Sequence, residues 1–348
     1  EQCQAWKVQP RGGNRSVVPP ATNPSGKGVL RSWLAACLLL WSAQAWTDVV
    51  SGELRPDVRL LIDISGSMKE SDPENLRAPA LDLIVRLLPD GARAGVWIFG
   101  ERVEALVPHG VVDAQWRVQA QNAVAAIDNS GQRTNIPAAL AAATYDLDAI
   151  DPTYRVSVIL LTDGKVDVSQ SPMVNASAAR KLLSNTAPEL GATGIPVHTI
   201  ALSDEADWTF LRSLARETDG IAEKAVSPAE LTTIYLQSLE MVAPAATVPV
   251  ADSSFQIDDS VEEFTALVFF DTTRNEVGLV SPDGTRFGPA LAQPGAEWFR
   301  NQQFALVTVR NPQPGAWKLQ APGSKLARIT VIADLQLRVD PLPNNLPA

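Results

Sequence analysis

Val58-Arg59-Leu60-Leu61-Ile62-Asp63-Ile64-Ser65-Gly66-Ser67 joins a short apolar run to a polar loop that carries one carboxylate and two hydroxyls at alternate positions. A run of this length reads as a buried strand. In an open α/β sheet, ligands bind at the loops beyond the carboxyl ends of the strands. Asp63, Ser65 and Ser67 would then stand together at such an edge, with Gly66 letting the loop turn tightly enough to aim both serines inward. D-x-S-x-S alone is weak evidence, so its weight depends on what the rest of the chain brings to the same edge.

Outward from this stretch, short apolar runs alternate with amphipathic ones, the pattern of a mostly parallel sheet with helices on both faces. Strands are predicted at 58–63, 94–99, 103–107, 156–162, 197–201 and 220–224, and helices near 78–88, 116–127, 136–147, 175–186, 207–218 and 229–240. The last helix has a marked start, with Ser227 as N-cap, Pro228 at the first helical position and Glu230 completing a capping box. Two further elements point at the edge that holds Asp63. Thr134, in Gln132-Arg133-Thr134-Asn135-Ile136, opens an amphipathic helix, and Asp163, in Leu160-Leu161-Thr162-Asp163-Gly164, follows the most apolar strand. The structural alternative is that the serines cap a turn, Thr134 caps a helix and Asp163 closes a strand end.

On these residues the chain resembles the von Willebrand factor A family over roughly residues 57–240, and Asp63, Ser65, Ser67, Thr134 and Asp163 match all five positions of its metal-ion-dependent adhesion site. The resemblance implies a doubly wound, Rossmann-like sheet. It also implies that Ser65 and Ser67 bind a divalent cation directly, that Thr134 does so in a high-affinity state, and that Asp63 and Asp163 act mainly through bound water. An oxygen-only set suits Mg²⁺, with Mn²⁺ or Ca²⁺ also compatible. Neutral hydroxyl ligands leave the cation attractive to an Asp or Glu carboxylate of a protein partner. The family further implies that the last helix, 229–240, shifts along the sheet and couples partner binding to the domain linker. Asn75-Leu76-Arg77-Ala78-Pro79-Ala80, Gly95-Val96-Trp97-Ile98-Phe99-Gly100 and Val261-Glu262-Glu263-Phe264-Thr265 are similar to exported proteins of Gram-negative bacteria in which such a domain precedes a β-rich one.

Residues 241–251, with Pro244 and Pro249 among small side chains, read as that linker. Beyond it the period becomes two, and strands are predicted at 264–270, 276–280, 304–309, 316–319 and 326–337, with turns at 281–284 and 311–315. A small β-sandwich of immunoglobulin-like kind over 252–340 accounts for this pattern, followed by a Pro-rich end at 341–348. Trp298 and Trp317 read as core residues, a contact surface being the alternative.

The 348 residues are 45% hydrophobic and 20% charged, a globular composition. Residues 1–28, rich in Pro, Gly, Ser and Arg, read as a disordered or untranslated lead. Residues 29–45 carry Arg31, an apolar run and Ser42-Ala43-Gln44-Ala45, the outline of a signal peptide cleaved after Ala45. The run is too short to span a bilayer, and 46–56 forms a short segment before the first domain. Cys37 in Leu34-Ala35-Ala36-Cys37 resembles a lipoprotein site, but the apolar run continues past it, which argues against lipidation. Export would remove Lys7, Arg11, Arg15, Lys27, Arg31 and Glu1, taking the formal charge from −10 to −14. Such an acidic, periplasmic protein is a poor match for nucleic acid or anionic lipid. Both cysteines, Cys3 and Cys37, leave with the leader, and with them any disulfide or thiol chemistry.

Enzyme classes fare badly. A phosphatase of the haloacid dehalogenase type needs a second carboxylate where Ser65 stands. A zinc protease needs clustered histidines, and His109 and His198 lie in unrelated segments, the first read as a turn residue and the second as core. The expectation is a non-enzymatic adhesion or scaffold protein, the alternative being an envelope module in which the cation only stabilises the fold.

Overall fold

The computed structural model describes residues 54–333, apart from positions 74, 76, 125, 205, 226, 227, 271–275, 292, 293, 302 and 323. The leader, the proposed cleavage site and Ser227 therefore lie outside the described residues. In the first domain the elements run β1 (Arg55–Asp63), α1 (Met68–Ser71), α2 (Arg77–Leu87), β2 (Arg93–Phe99), β3 (Val103–Val111), α3 (Ala114–Val124), α4 (Ile136–Ala143), β4 (Tyr154–Thr162), α5 (Pro172–Lys181), α6 (Ala187–Ala192), β5 (Val197–Ala201), α7 (Trp208–Glu217), β6 (Ala222–Lys224) and α8 (Pro228–Val242).

These strands form one six-stranded sheet of order β3-β2-β1-β4-β5-β6, parallel throughout except for β3. The exception follows from chain length. Gly100, Glu101 and Arg102 alone join β2 to β3, enough for a hairpin but not for the crossover a parallel pair needs. Alternation along β1 decides the two faces. Val58, Leu60 and Ile62 pack with Leu81, Ile84 and Trp116 of α2 and α3 and with Tyr235 of α8, whereas Leu61 packs with Leu140 of α4 and Leu211 of α7. Helices thus cover both faces, as the doubly wound reading requires. The strand order reverses between β1 and β4, the place where an open sheet of this kind opens a crevice for ligands.

A polar cluster interrupts the core. On the Leu61 face, Arg59 is buried and donates to Asp57 (3.0 Å), to Asp146 (2.5 Å) and to the Ala143 carbonyl (2.6 Å). His109 is a strand residue of β3 rather than the turn residue expected. Its Nε2 lies 2.9 Å from Asp57 and its Nδ1 lies 3.1 Å from the Tyr145 hydroxyl. Burial alone would raise the Asp57 pKa, but the bonds from His109 and Arg59 outweigh it and hold the carboxyl below its usual value. His198 is a core residue of β5, as predicted. Its Nδ1 accepts from the Ile221 amide at 3.3 Å, and burial lowers its pKa.

Tyr235 of α8 is fully enclosed, and its hydroxyl has no hydrogen-bond partner among the described residues. Burial pushes its pKa up. An unpaired buried hydroxyl costs about 1–3 kcal/mol. Tyr235→Phe is therefore expected to raise stability by roughly 1 kcal/mol in urea unfolding. A loss of stability would mean that the hydroxyl is satisfied by solvent within the fold.

The second domain comprises β7 (Ala246–Val248), β8 (Ser254–Ile257), β9 (Val261–Phe270), β10 (Gly278–Val280), β11 (Arg286–Phe287), β12 (Ala296–Arg300), β13 (Phe304–Arg310), β14 (Gly315–Gln320) and β15 (Ser324–Ala333). They make a five-stranded sheet, β12-β13-β9-β15-β7, and a four-stranded one, β11-β10-β14-β8. The pairings are antiparallel, and Phe255, Phe264 and Trp317 meet edge to face in the core between the sheets, with centroids 5.2 and 5.1 Å apart. Trp317 is 1% exposed, and Trp298 packs against the same core, in keeping with the core reading of both.

The segment expected as a linker is more ordered than predicted. The end of α8 and β7 both fall in it, and β7 pairs with β15 as an edge strand. Pro244 and Pro249 bracket β7, where an edge strand tolerates them. Leu83 of α2 and Leu236 of α8 pack against Leu267, Phe304 and Leu306 of the sandwich. Arg86 lies over the Phe299 ring, 3.5 Å from its centroid, and Glu240 pairs with Arg328 at 3.2 Å.

Candidate functional site

All five predicted residues lie at one edge of the six-stranded sheet, on three loops that the backbone ties together. β1 ends at Asp63, after which the Ile64 amide bonds the Phe99 carbonyl at 2.9 Å and the Ile64 carbonyl accepts from the Gly131 amide at 2.9 Å. Gly131 has to be glycine here, because a Cβ would stand 2.7 Å from the Ile64 carbonyl oxygen. The Gly131 loop leads to Thr134, which exchanges two backbone hydrogen bonds with Asp167 at 3.0 and 2.9 Å, beyond the end of β4. Gly164 sits beside Thr134, where an added Cβ would come within 3.2 Å of the threonine hydroxyl.

Asp63, Ser65, Ser67 and Asp163 form a connected set. Ser65 Oγ and Ser67 Oγ are 3.1 Å apart, and Ser67 Oγ donates to Asp163 Oδ1 at 2.9 Å. Asp63 Oδ1 accepts from the Ser65 amide at 2.8 Å, and its Oδ2 accepts from the Thr162 hydroxyl at 2.5 Å. Ser67 is exposed, whereas Asp63, Ser65, Thr134 and Asp163 are buried, so the set opens to solvent on the Ser67 side. Burial pushes the Asp63 carboxyl up to about 6, the charge of Asp163 adding to it against the bonds from Thr162 and Ser65.

Three supports escaped the sequence reading. Thr162 lies within the quoted Leu-Leu-Thr-Asp-Gly run, and the Gly164 amide donates to its hydroxyl at 3.0 Å while it donates to Asp63. Ser71, at the end of α1, donates to Asp163 Oδ2 at 2.6 Å. Arg77 is wholly buried behind the loop. It pairs with Asp72 at 2.7 Å, reaches Asn75 at 3.1 Å, and also donates to the Asp63 carbonyl and to Asn129. One guanidinium thereby fixes the Asp63 loop to the loop that carries Gly131. An arginine next to Asn-Leu in the sequence was the available signal, but its partner at 129 was not readable.

The donor set suits a hard cation. It supplies two carboxylates and three hydroxyls, all oxygen. Thr134 is 4% exposed, and its hydroxyl stands apart from the hydrogen bonds that join Ser65, Ser67 and Asp163. Neither Asp63 nor Asp163 has a Lys, Arg or His ion pair among the described residues. No group of three His, Cys, Asp or Glu occurs there either, so the set differs from cysteine, histidine and acid-rich cages.

A family model for the von Willebrand factor type A domain matches residues 57–237, more than half of the 348 residues. The chain belongs to the von Willebrand factor type A domain family. Asp63, Ser65, Ser67, Thr134 and Asp163 all lie within the matched span. Solved structures similar to the chain include a von Willebrand factor type A protein from Catenulispora acidiphila, at 20% identity over 78% of this chain and 64% of that one, TM-score 0.45. Proximal thread matrix protein 1 from the mussel byssus, with a zinc-occupied MIDAS motif, is 20% identical over 57% of this chain and 50% of that one, TM-score 0.42. The ArnB paralog VWA2 from Sulfolobus acidocaldarius is 16% identical over 77% and 57%, TM-score 0.40. The chain spans less than two thirds of the length of each of these. A comparison with curated proteins returned no match.

Proposed function

We propose that the protein is an exported, non-enzymatic adhesion or scaffold protein whose A domain holds a divalent cation, Mg²⁺ in the first place, at Asp63, Ser65, Ser67, Thr134 and Asp163. Through that cation it would bind an Asp or Glu carboxylate of a protein partner. The observation that carries this reading is the meeting of hydroxyl-bearing Ser65, Ser67 and Thr134 with two buried carboxylates, Asp63 and Asp163, that have no Lys, Arg or His ion pair among the described residues. When bound, the cation supplies a Lewis-acidic point of attachment for a carboxylate. The chain's own residues fix the loops and exclude water on the Asp63 side. The exposure of Ser67 leaves room for an incoming ligand, which favours the partner-binding role over a purely structural ion. Export, to the periplasm or beyond, rests on Arg31, the apolar run and Ser42-Ala43-Gln44-Ala45.

Binding of cation and carboxylate at one centre must be reciprocal. Acetate, compared with chloride at equal ionic strength and corrected for acetate binding by free Mn²⁺, should raise the Mn²⁺ affinity of the protein roughly fivefold. Thr134→Ala should reduce that gain. Equal affinities in acetate and chloride would assign the cation to the fold alone.

A further inference from the structure

Ser71 lies outside the five-residue set, yet the structure ties it to the site more tightly than some members of that set. The Asp163 carboxylate is held by hydroxyls from the two ends of one short helix, the N-cap Ser67 on Oδ1 at 2.9 Å and the last residue Ser71 on Oδ2 at 2.6 Å. Ser67 and Ser71 are four residues apart, the spacing at which helical side chains share a face, and the Ser71 amide bonds the Ser67 carbonyl at 3.2 Å. The helix is anchored at its end. It stops after Ser71, where Asp72 leaves helical geometry (φ −140, ψ 62), and Asp72 is pinned by buried Arg77 at 2.7 Å. Asp163 is itself 5% exposed, so solvent offers its oxygens little alternative.

We propose that Ser71 is a positioning residue of the cation site: by engaging Oδ2 it fixes the Asp163 carboxylate with Oδ1 on Ser67 and keeps it from turning onto the cation. This rests on the cation-binding reading given above. The consequence is electrostatic. A carboxylate that ligates the cation directly cancels part of its charge, whereas one held back by hydroxyls leaves more charge for the partner's carboxylate. Without the Ser71 hydroxyl, Oδ2 loses its partner in a poorly solvated place, and a bound cation would offer it a replacement.

The test uses the chelator-stripped protein, Ser71→Ala and Ser71→Thr, with Mn²⁺ alone as probe. Affinity is read by spin-resonance titration, and the number of water molecules on the bound ion by oxygen-17 relaxation. Ser71→Ala is expected to bind Mn²⁺ about fivefold more tightly or better, to lose one water from the ion and to lose the acetate gain. Ser71→Thr, which keeps the hydroxyl, should restore parental values. The melting temperature in chelator checks that the variants fold, and Ser71→Cys, nearly isosteric with a weak donor, serves if the alanine variant does not. Parental affinity and water count in Ser71→Ala would overturn the role of Ser71 while leaving the cation site intact. A folded parent that binds no Mn²⁺ would overturn the cation reading and the Ser71 role with it.

Discussion

Arg77→Met is expected to destabilise the protein by about 3–5 kcal/mol, the range for removing one partner of a buried ion pair. The guanidinium is 0% exposed, and Asp72, its partner at 2.7 Å, is 3% exposed. Methionine fills much of the volume, so the loss would report the charge and its hydrogen bonds rather than a cavity. Removal takes the guanidinium away from the buried Asp72 carboxylate, and it takes the shared donor from the Asp63 carbonyl and the Asn75 and Asn129 side chains. The same substitution should weaken cation binding, because Arg77 alone joins the Asp63 loop to the segment before Gly131 among the side chains described. Urea unfolding in the presence of chelator measures the first effect and Mn²⁺ titration the second. The exposed pair Arg216–Glu217, at 3.0 Å with the arginine 76% exposed, is the control. Arg216→Met should change stability by no more than about 1 kcal/mol. A loss below about 1 kcal/mol for Arg77→Met would show that the loops hold their register without the buried guanidinium.

Asp63→Ala should lower cation affinity by more than about 100-fold, the upper range for disrupting outer-sphere groups of a metal site. Asp63 is the residue through which the site is braced from two sides, since its two oxygens accept from the Ser65 amide and the Thr162 hydroxyl. Alanine removes a negative charge from the donor set and also releases the Ser65 backbone. Ser67→Ala offers a second route to the same loss. It takes away the hydroxyl that donates to Asp163 while leaving the bonds from the Ser65 amide and Thr162 to Asp63 in place, and an unchanged melting temperature in chelator separates lost affinity from a collapsed loop.

How much of this was legible depended on the range of the interaction. β1, β4 and β5 announced themselves as apolar runs because they are buried on both faces, and their order carried Asp63 and Asp163 to a common edge. Thr134 could be placed there because it precedes a helix that packs under the same edge. The buried charges were not legible. Arg59 reads like any charged residue in a strand until Asp146 and the Ala143 carbonyl, more than eighty residues on, are brought to it. His109 looked like a turn residue because Pro108 and Gly110 flank it, but its pairing with Asp57 is a tertiary fact that no local period encodes. In the sandwich, β8, β11 and β12 were missed. They are short, and β11 and β12 are only partly buried, so alternation has few positions in which to show. Strand β7 was hidden between two prolines for the same reason.

The most direct test of the cation-site account is calorimetric titration of residues 46–348, stripped by chelator, with MgCl₂ and with MnCl₂, beside Asp63→Ala. One saturable site in the parent that disappears in the variant is the result the account predicts. A folded parent that takes up neither ion, or an Asp63→Ala variant that binds as the parent does, would contradict it.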